Sequence, residues 1–251
     1  MAKLHLLLKK EEINQDKMSG NKIAVVFDVL LATSTITAGL YYGAKEVIPV
    51  LNGEEARKES FGRDSSNILL VGEYEGKTIE GFLDPNPIQL KEKVQGKTVI
   101  LSTTNGTVAI KNSANAEAVY ICSLLNANAV AEHINKLHSN KTVVVVCSGS
   151  SDKFCLEDFL GAGYFLDCLL AKENVSYDLT DSALAALTFY RSFRGKEVEL
   201  LGASRVGRLI SELGFQKELQ FVADKDSLPI VPVLKNRKSI VKGDDYGFSS
   251  H

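Results

Sequence analysis

Short apolar runs recur along the chain and are the clearest structural signal in the sequence. Six of them are rich in Val and Ile and contain few polar residues. Continuous runs of this kind, unlike alternating ones, are typical of strands buried on both faces of a sheet. The pattern therefore predicts strands at 23–29, 46–51, 67–73, 98–103, 118–125 and 142–149.

Helix-like segments separate these runs. They lie at 33–43, 53–61, 104–114, 127–138 and 155–173, and two more follow at 180–193 and 204–213. The alternation of strand and helix predicts one α/β domain over 1–251, with a mostly parallel or mixed sheet in a three-layer α/β/α arrangement. We expect segment 229–241 to form edge or connecting structure and the C-terminal tail, 242–251, to fray.

Part of this pattern is repeated, because the stretch 25–52 resembles the stretch 98–126. Each copy reads strand, hydroxyl-rich loop, helix, small residue, strand. At an offset of 72 residues the matching pairs are Thr35 and Thr107, Ala44 and Ala116, and Val47 and Val119. The repeat is explained equally well by duplication of a βαβ unit and by the general likeness of all such units.

Composition and charge limit the classes of function. Apolar residues make up 45% of the 251 residues, and 29 basic residues nearly balance 31 acidic ones, for a net charge of -2. No basic field or polybasic cluster favours nucleic acid or a membrane surface as partner. The N-terminal apolar stretch is too short for a secretion signal, so we expect a cytoplasmic protein, with a homo-oligomer left open.

The cysteines also favour a reducing compartment. None of them forms a C-x-x-C pair, and each lies in or beside an apolar segment. Buried free thiols are the expected state. The residues concerned are Cys122, Cys147, Cys155 and Cys168.

Polar residues follow three of the predicted strands. In open α/β sheets ligands bind at the carboxyl ends of strands, so we expect these three loops to open on one edge. In the first loop Asp28 ends a buried strand, where a carboxylate needs a partner or a metal. A helix cap accounts for one of the hydroxyls that follow it but poorly for all three, which are Thr33, Ser34 and Thr35.

The second loop has the composition of a cradle for an oxyanion. It offers hydroxyls, an amide and backbone N–H groups, and Gly106 permits close approach. Free N–H groups at a helix start favour a phosphate or a sulfonate. A dense helix cap is the alternative explanation. The cradle residues are Thr103, Thr104, Asn105, Gly106 and Thr107.

The third loop brings further acidic residues. Ser148 and Gly149 follow a strand, and Glu157 and Asp158 occupy the first turn of the next helix, where they could simply complement its dipole. Glu73 ends another apolar strand. Together with Asp28 and Asp158 it makes a carboxylate set suited to Mg²⁺, which takes one or two carboxylates plus substrate oxygens and waters.

The sequence lacks the common motifs of nucleotide-binding proteins and of other phosphatases. There is no G-x-x-x-x-G-K-[ST] and no G-x-G-x-x-G. The pattern D-x-D-x-T fails at Leu30, and the pattern C-x5-R finds Lys153 in place of the Arg. The histidines form no ligand motif.

The chain resembles the 2-phosphosulfolactate phosphatase family over nearly its whole length. The resemblance is carried by VVFDVLLATSTI, Gly72–Glu73, Gly81–Phe82, Asn86, STTNGT, SLLNA, CSG, FCLEDFLGAG, SRVGRLISELGF and VPVL, in that order. It implies a three-layer α/β phosphatase-like domain that hydrolyses 2-phospho-3-sulfolactate with Mg²⁺, a reaction that serves coenzyme M biosynthesis in methanogens. It also adds Asn126 to the substrate-binding residues, with Ser148 and Gly149.

Two positions depart from the family pattern. Leu31 stands where the family usually has Arg, and Leu83 stands where it usually has Asp, with Asp84 one place later. An Arg is a natural bidentate partner for phosphate or sulfonate. The leading hypothesis is a Mg²⁺-dependent phosphatase, and the alternative is a catalytically impaired anion-binding or regulatory protein.

Roles follow for the candidate residues under the leading hypothesis. The metal ligands would be Asp28, Glu73 and Asp158, and the catalytic residues Asp28, Asp158 and Asn105. The cradle loop and the helix start at Thr33–Thr35 would hold phosphoryl and sulfonate oxygens. The attacking group could be Asp28 or a metal-bound water.

Overall fold

The computed structural model describes residues 2–171 and 176–243. This part of the chain contains eleven strands and eleven α-helices. The strands are β1 (Ala2–Leu7), β2 (Lys22–Phe27), β3 (Glu46–Val50), β4 (Ile68–Tyr74), β5 (Lys77–Thr78), β6 (Thr98–Ser102), β7 (Ala118–Cys122), β8 (Thr142–Cys147), β9 (Tyr177–Leu179), β10 (Pro232–Lys235) and β11 (Ser239–Lys242). The helices are α1 (Gln15–Met18), α2 (Ala32–Tyr41), α3 (Gly53–Ser60), α4 (Pro87–Leu90), α5 (Gly106–Asn112), α6 (Ala127–Leu137), α7 (Leu156–Leu170), α8 (Asp181–Phe193), α9 (Glu197–Ala203), α10 (Arg205–Glu212) and α11 (Gln216–Ala223).

All eleven strands form one mixed sheet, which confirms the predicted class. Its order is β5-β4-β6-β3-β11-β10-β7-β2-β8-β1-β9. Strands β4, β6 and β3 are parallel to one another, and so are β7, β2, β8, β1 and β9. The hairpin β10–β11 pairs antiparallel with both groups. The two parallel halves therefore run in opposite directions.

The hairpin is the clearest difference from the sequence-based prediction. Segment 229–241 connects the two halves, as one of the two expectations had it, but it lies at the centre of the sheet and not at its edge. Its apolar side chains Val233, Leu234 and Ile240 are buried. The pattern also misses β1, because its buried Leu4 and Leu6 alternate with polar residues in a short run.

The central eight strands, from β4 to β8 in the sheet order, consist of two equivalent halves. The unit β2-α2-β3-α3-β4 corresponds to β6-α5-β7-α6-β8, with each strand of one unit in the mirrored position of the other. This arrangement is what a duplicated unit predicts. Helices α2 and α5 contact each other across it.

Helices cover both faces, which gives the three layers. On one face Ile36 of α2 and Ile110 of α5 pack with residues of β2, β3, β6 and β7. On the other face α6, α7 and α8 cover one half of the sheet and α3 covers the other. Fully burying such an apolar side chain contributes about 1.5–3 kcal/mol, so this double cover stabilises the sheet from which the loops emerge.

Further predictions concern the helix at 155–173, the C-terminal tail and the state of the cysteines. The last two residues of predicted helix 155–173, and 244–251 of the predicted frayed tail, lie outside the described residues. Cys122, Cys147 and Cys155 are buried, Cys168 is partly buried, and all four are free thiols, as predicted. None of the helices in the described part of the chain has the length and apolar character needed to span a bilayer.

Candidate active site

The loop after β2 and the loop after β6 touch at Asp28 and Gly106. A Cβ atom at Gly106 would lie 2.6 Å from Oδ2 of Asp28 and 2.5 Å from the Cβ of Ala32. Only glycine fits at such distances. We predicted that the three loops open on one edge of the sheet. The loops after β2 and β8 do so, because these strands are adjacent and parallel, but β6 belongs to the half that runs in the opposite direction. Its loop reaches the same place because α2 and α5, which follow the two loops, pack side by side.

Two threonine hydroxyls shape these loops in the same way. Oγ1 of Thr33 accepts from Asp28 N (3.1 Å) and donates to Asp28 O (2.9 Å). Oγ1 of Thr107 accepts from Thr103 N (3.2 Å) and donates to Thr103 O (2.9 Å). In the structure the equivalent of Thr107 is therefore Thr33, and not Thr35 as the sequence repeat suggested. Asp28 is likewise the equivalent of Thr103. Both hydroxyls are fully buried and serve the loops themselves.

Two of the predicted carboxylates hold these loops in equivalent ways. Oδ1 of Asp158 accepts from Val29 N at 2.9 Å, and its Oδ2 accepts from Gly149 N at 3.0 Å. Oε1 of Glu73 accepts from Thr104 N at 2.7 Å. Its Oε2 accepts from Gly76 N at 2.7 Å and from the Thr104 hydroxyl at 3.0 Å. Each carboxylate therefore ties the second residue after a strand end to a neighbouring loop.

Asp28 differs from these two carboxylates. It is 8% exposed. Burial, followed by the negative charge of Glu73, raises its pKa to about 7, although the N–H groups of Ala32 and Gly106 favour the charged form. Asp28 thus exchanges its proton near neutral pH, and perturbed values of this kind cluster at functional sites.

Further acids surround Asp28 and make the site electronegative. Burial raises the pKa of Asp158, and the charge of Asp28 raises it further. Burial also raises the pKa of Glu157, which is opposed by hydrogen bonds from Ser204 and Cys155 and by the charge of Arg205. The thiol of Cys155 has a raised pKa for the same reason of burial, so it is not a thiolate nucleophile.

The residues fit a Mg²⁺ ion held by few protein ligands. In residues 2–171 and 176–243, no three His, Cys, Asp or Glu side chains are grouped so that they could hold a metal ion. The predicted set Asp28, Glu73 and Asp158 is therefore not a closed cage, because two of its members are engaged by the loops. Mg²⁺ commonly binds through one or two carboxylates, with waters and substrate oxygens completing the shell. Asp28, a buried acid beside other acids, suits that arrangement.

Asn105 lies at the start of α5 but does not cap it. It makes no side-chain cap hydrogen bond. Its Oδ1 accepts from Nζ of Lys10 at 2.9 Å, which links two residues 95 positions apart. Lys10 follows β1, and sequence reasoning missed it because β1 itself was missed. The only signal was the pair Lys9–Lys10 directly after a short apolar run.

The remaining hydroxyls of the first loop are buried and bonded within the protein. Ser34 donates to Val29 O at 2.9 Å, and Thr35 donates to Pro85 O at 2.8 Å. Ser148 is different, since its buried Oγ has no hydrogen-bond partner in the described part of the chain. Its N donates to Phe27 O at 2.8 Å, which continues the β2–β8 pairing and sets Ser148 beside Asp28. Gly149 has φ +65°, a conformation that suits glycine.

Asn126 follows β7, and its side chain is bonded within the protein. It is fully buried at the start of α6. Its Oδ1 accepts from Ser123 N at 2.9 Å in a capping box, and its Nδ2 donates to the carbonyl oxygens of Ile121 and Ile230, each at 3.2 Å. Its side chain ties β7 to the segment before β10.

We therefore expect Asn126→Ala to lower stability without changing substrate affinity. Removing buried hydrogen bonds and leaving their partners unsatisfied costs about 1–3 kcal/mol for each such group. Thermal unfolding should show a clear loss of stability, and the KM of the folded variant should equal that of the unaltered protein. A raised KM with an unchanged melting temperature would instead make Asn126 a ligand-binding residue.

The two departures from the family pattern lie close to the site. Leu31 is partly buried, and it packs against the core on the α7 side of the sheet. Leu83 is partly buried, and it packs on the opposite face. Oδ1 of Asp84 accepts from the hydroxyl of Thr78 at 3.1 Å, and burial first, then the charge of Glu73, raises its pKa. Asp84 therefore lies near enough to Glu73 to add to the negative field.

A cavity of about 280 Å³ adjoins the second loop. It lies between the end of β3, the end of β4 and the loop after β6. Its walls are formed by Leu51, Asn52, Gly53, Glu73, Tyr74, Ile79, Ser102, Thr103 and Thr104. Space for a small ligand thus lies directly beside the predicted cradle.

Comparisons with known proteins identify the family of the chain. The family model described as 2-phosphosulpholactate phosphatase matches residues 7–237. A protein of Caldanaerobacter subterraneus subsp. tengcongensis named probable 2-phosphosulfolactate phosphatase is 41% identical over 223 residues, which cover 88% of this chain and 91% of that protein. A protein of Clostridium acetobutylicum with the same name is 39% identical over 238 residues, covering 93% and 98%. The chain therefore belongs to the 2-phosphosulfolactate phosphatase family, a family of phosphoric monoester hydrolases.

Proposed function

We propose that this protein hydrolyses 2-phospho-3-sulfolactate, or a closely related small dianionic phosphoester, to the free alcohol and phosphate in a Mg²⁺-dependent reaction. The observation that carries the proposal is the buried carboxylate of Asp28 at the junction of three loops, in a chain of this family. The names of the relatives support turnover over the alternative of an impaired anion-binding protein.

Asp28 would hold the ion, and the other two carboxylates would hold the loops around it. When bound, Mg²⁺ offsets the negative charge of a phosphoryl group and polarises it. Glu73 and Asp158 keep Thr104 and Val29 in place, so the loops need little rearrangement when substrate binds. The absence of a side chain at Gly106 leaves its backbone beside Asp28 open to a close approach by the phosphoryl oxygens.

Phosphate release from a panel of phosphoesters tests the proposal. We expect 2-phospho-3-sulfolactate to be hydrolysed with a kcat/KM about tenfold or more above that of 2-phospholactate, which lacks the sulfonate, because a charge-assisted hydrogen bond contributes about 1.5–3 kcal/mol. Both assays use the same Mg²⁺ concentration. Absence of phosphate release from every phosphoester tested would favour the impaired anion-binding alternative.

A further inference from the structure

Lys10 reaches the site from a strand that the sequence pattern does not reveal. Strand β1 pairs parallel with β8, so the residues after β1 emerge beside the loop that follows β8. A short 3₁₀ turn at Lys10–Glu12 begins there. The N–H of Lys10 donates to Ser148 O at 3.1 Å, which fixes its backbone beside the third loop.

The side chain of Lys10 is largely buried and has two partners. It is 11% exposed. Its Nζ lies 2.9 Å from Oδ1 of Asn105 and 2.7 Å from Oε1 of Glu11. An ammonium group loses hydration when it is covered in this way. The side chain of neighbouring Lys9 is 31% exposed, and it pairs with Asp152, whose side chain is 71% exposed.

The contact with Lys10 determines which way the Asn105 amide faces. A lysine ammonium can only donate, so the atom of Asn105 that faces it must be the oxygen. The Nδ2 group, with its two N–H donors, then points away from Lys10. It has no hydrogen-bond partner among the residues that the structure describes, and it belongs to the residue before Gly106, whose backbone lies against Asp28.

Charge makes this arrangement significant for an anionic ligand. The acids around Asp28 are Glu73, Glu157 and Asp158, and their field repels an anion. Arg205 offers positive charge on the Glu157 side, where it lowers the pKa of that acid. Lys10 offers positive charge on the side of the cradle loop, beside Asn105, and shares it with Glu11, whose side chain is 35% exposed.

We propose that Lys10 and Asn105 together form a subsite for a tetrahedral oxyanion of the substrate, either its phosphoryl or its sulfonate group. Lys10 supplies positive charge and orients the amide, and Asn105 donates hydrogen bonds from Nδ2. The inference deepens the proposed function and rests on it. It also assigns to Lys10 the positive charge that Leu31 does not provide at the position where the family usually has Arg.

Three substitutions test the subsite. Lys10→Met removes the charge and keeps most of the side-chain length, and Lys10→Arg keeps the charge. Asn105→Asp keeps an oxygen facing Lys10, but it removes the N–H donors and adds a negative charge. Lys9→Met is the matched control, because it removes a neighbouring charge outside the site. For each variant we would measure KM and kcat with 2-phospho-3-sulfolactate and 2-phospholactate, and the thermal stabilisation by inorganic sulfate.

We expect Lys10→Met and Asn105→Asp to raise KM about ten- to a hundredfold and to lose the stabilisation by sulfate, because each removes a charge-assisted contact or its donors. Lys10→Arg should recover most of the affinity, and Lys9→Met should change neither quantity. A rise in KM for both substrates would assign the subsite to the phosphoryl group, and a rise for the sulfonated substrate alone would assign it to the sulfonate.

The contrary results are equally specific. Unchanged KM and unchanged sulfate stabilisation in folded Lys10→Met would overturn the subsite. If Lys10→Met unfolds, Asn105→Asp decides, since it preserves the contact with Lys10. If the unaltered protein hydrolyses neither phosphoester, the proposed function fails, and the sulfate measurement still shows whether Lys10 and Asn105 bind an oxyanion.

Discussion

Asp28→Asn should abolish turnover and at the same time stabilise the metal-free protein at alkaline pH. Turnover should fall by at least about a thousandfold, as is common when a group acting directly on the reacting atoms is removed. Stability should rise because the buried carboxylate of Asp28 is charged at high pH next to Glu73. An isosteric amide removes that charge while keeping the shape of the side chain.

The pH dependence of this stabilisation has a definite sign. The pKa of Asp28 is raised from 3.8 to about 7 in the folded protein, so the folded state binds more protons than the unfolded state between these values. Stability therefore falls as the pH rises through that window. The advantage of Asp28→Asn should grow from about pH 4 to pH 7, to the order of 2–4 kcal/mol, and level off above that.

Urea unfolding of EDTA-treated protein at several pH values measures this effect. Asp152→Asn is the control, because Asp152 is an exposed acid paired with Lys9. It should retain full activity and the pH profile of the unaltered protein. A stability difference between Asp28→Asn and the unaltered protein that is the same at pH 4 and pH 8 would show that the pKa of Asp28 is not raised in the folded protein.

Chelation should remove the activity, and Mg²⁺ should restore it. The acids around Asp28 offer oxygen ligands. Hard oxygen ligands favour Mg²⁺ over zinc, which prefers nitrogen and sulfur. Phosphate release should cease in EDTA, return on addition of Mg²⁺ and remain absent with Zn²⁺ alone.

A binding measurement separates the role of the ion from other effects of chelation. Mg²⁺ should raise the melting temperature of the unaltered protein, because a ligand that binds only the folded state stabilises it. The same ion should have little effect on Asp28→Asn. Full activity in EDTA, or equal Mg²⁺ stabilisation of both proteins, would reject Asp28 as the ligand.

The architecture explains how one site draws on distant segments. The two parallel halves run in opposite directions, and each supplies one loop of equivalent shape, closed by Thr33 or Thr107. The loops differ at their first position, which is Asp28 in one and Thr103 in the other. Only the first loop therefore carries a carboxylate suited to a cation, while the second offers neutral donors beside the cavity of about 280 Å³.

Much of the fold was determined by local sequence. Continuous Val- and Ile-rich runs predicted β2, β3, β4, β6, β7 and β8 because only a strand covered on both faces buries every residue of such a run. The same reasoning predicted Asp28 at a strand end and the hydroxyl-rich starts of α2 and α5. These features depend on neighbours within a few residues, which the sequence shows directly.

Only the tertiary structure decided what those residues do. The central position of β10 and β11, the opposed halves and the contact of Asp28 with Gly106 depend on strand order, which local periodicity does not encode. The sequence analysis predicted Thr33, Ser34 and Asn126 as substrate-binding residues, yet their polar atoms are hydrogen-bonded within the protein. Lys10 reads as a surface charge, yet it lies against Asn105, because the partner of a side chain is set by packing across 95 residues of chain and not by its neighbours in sequence.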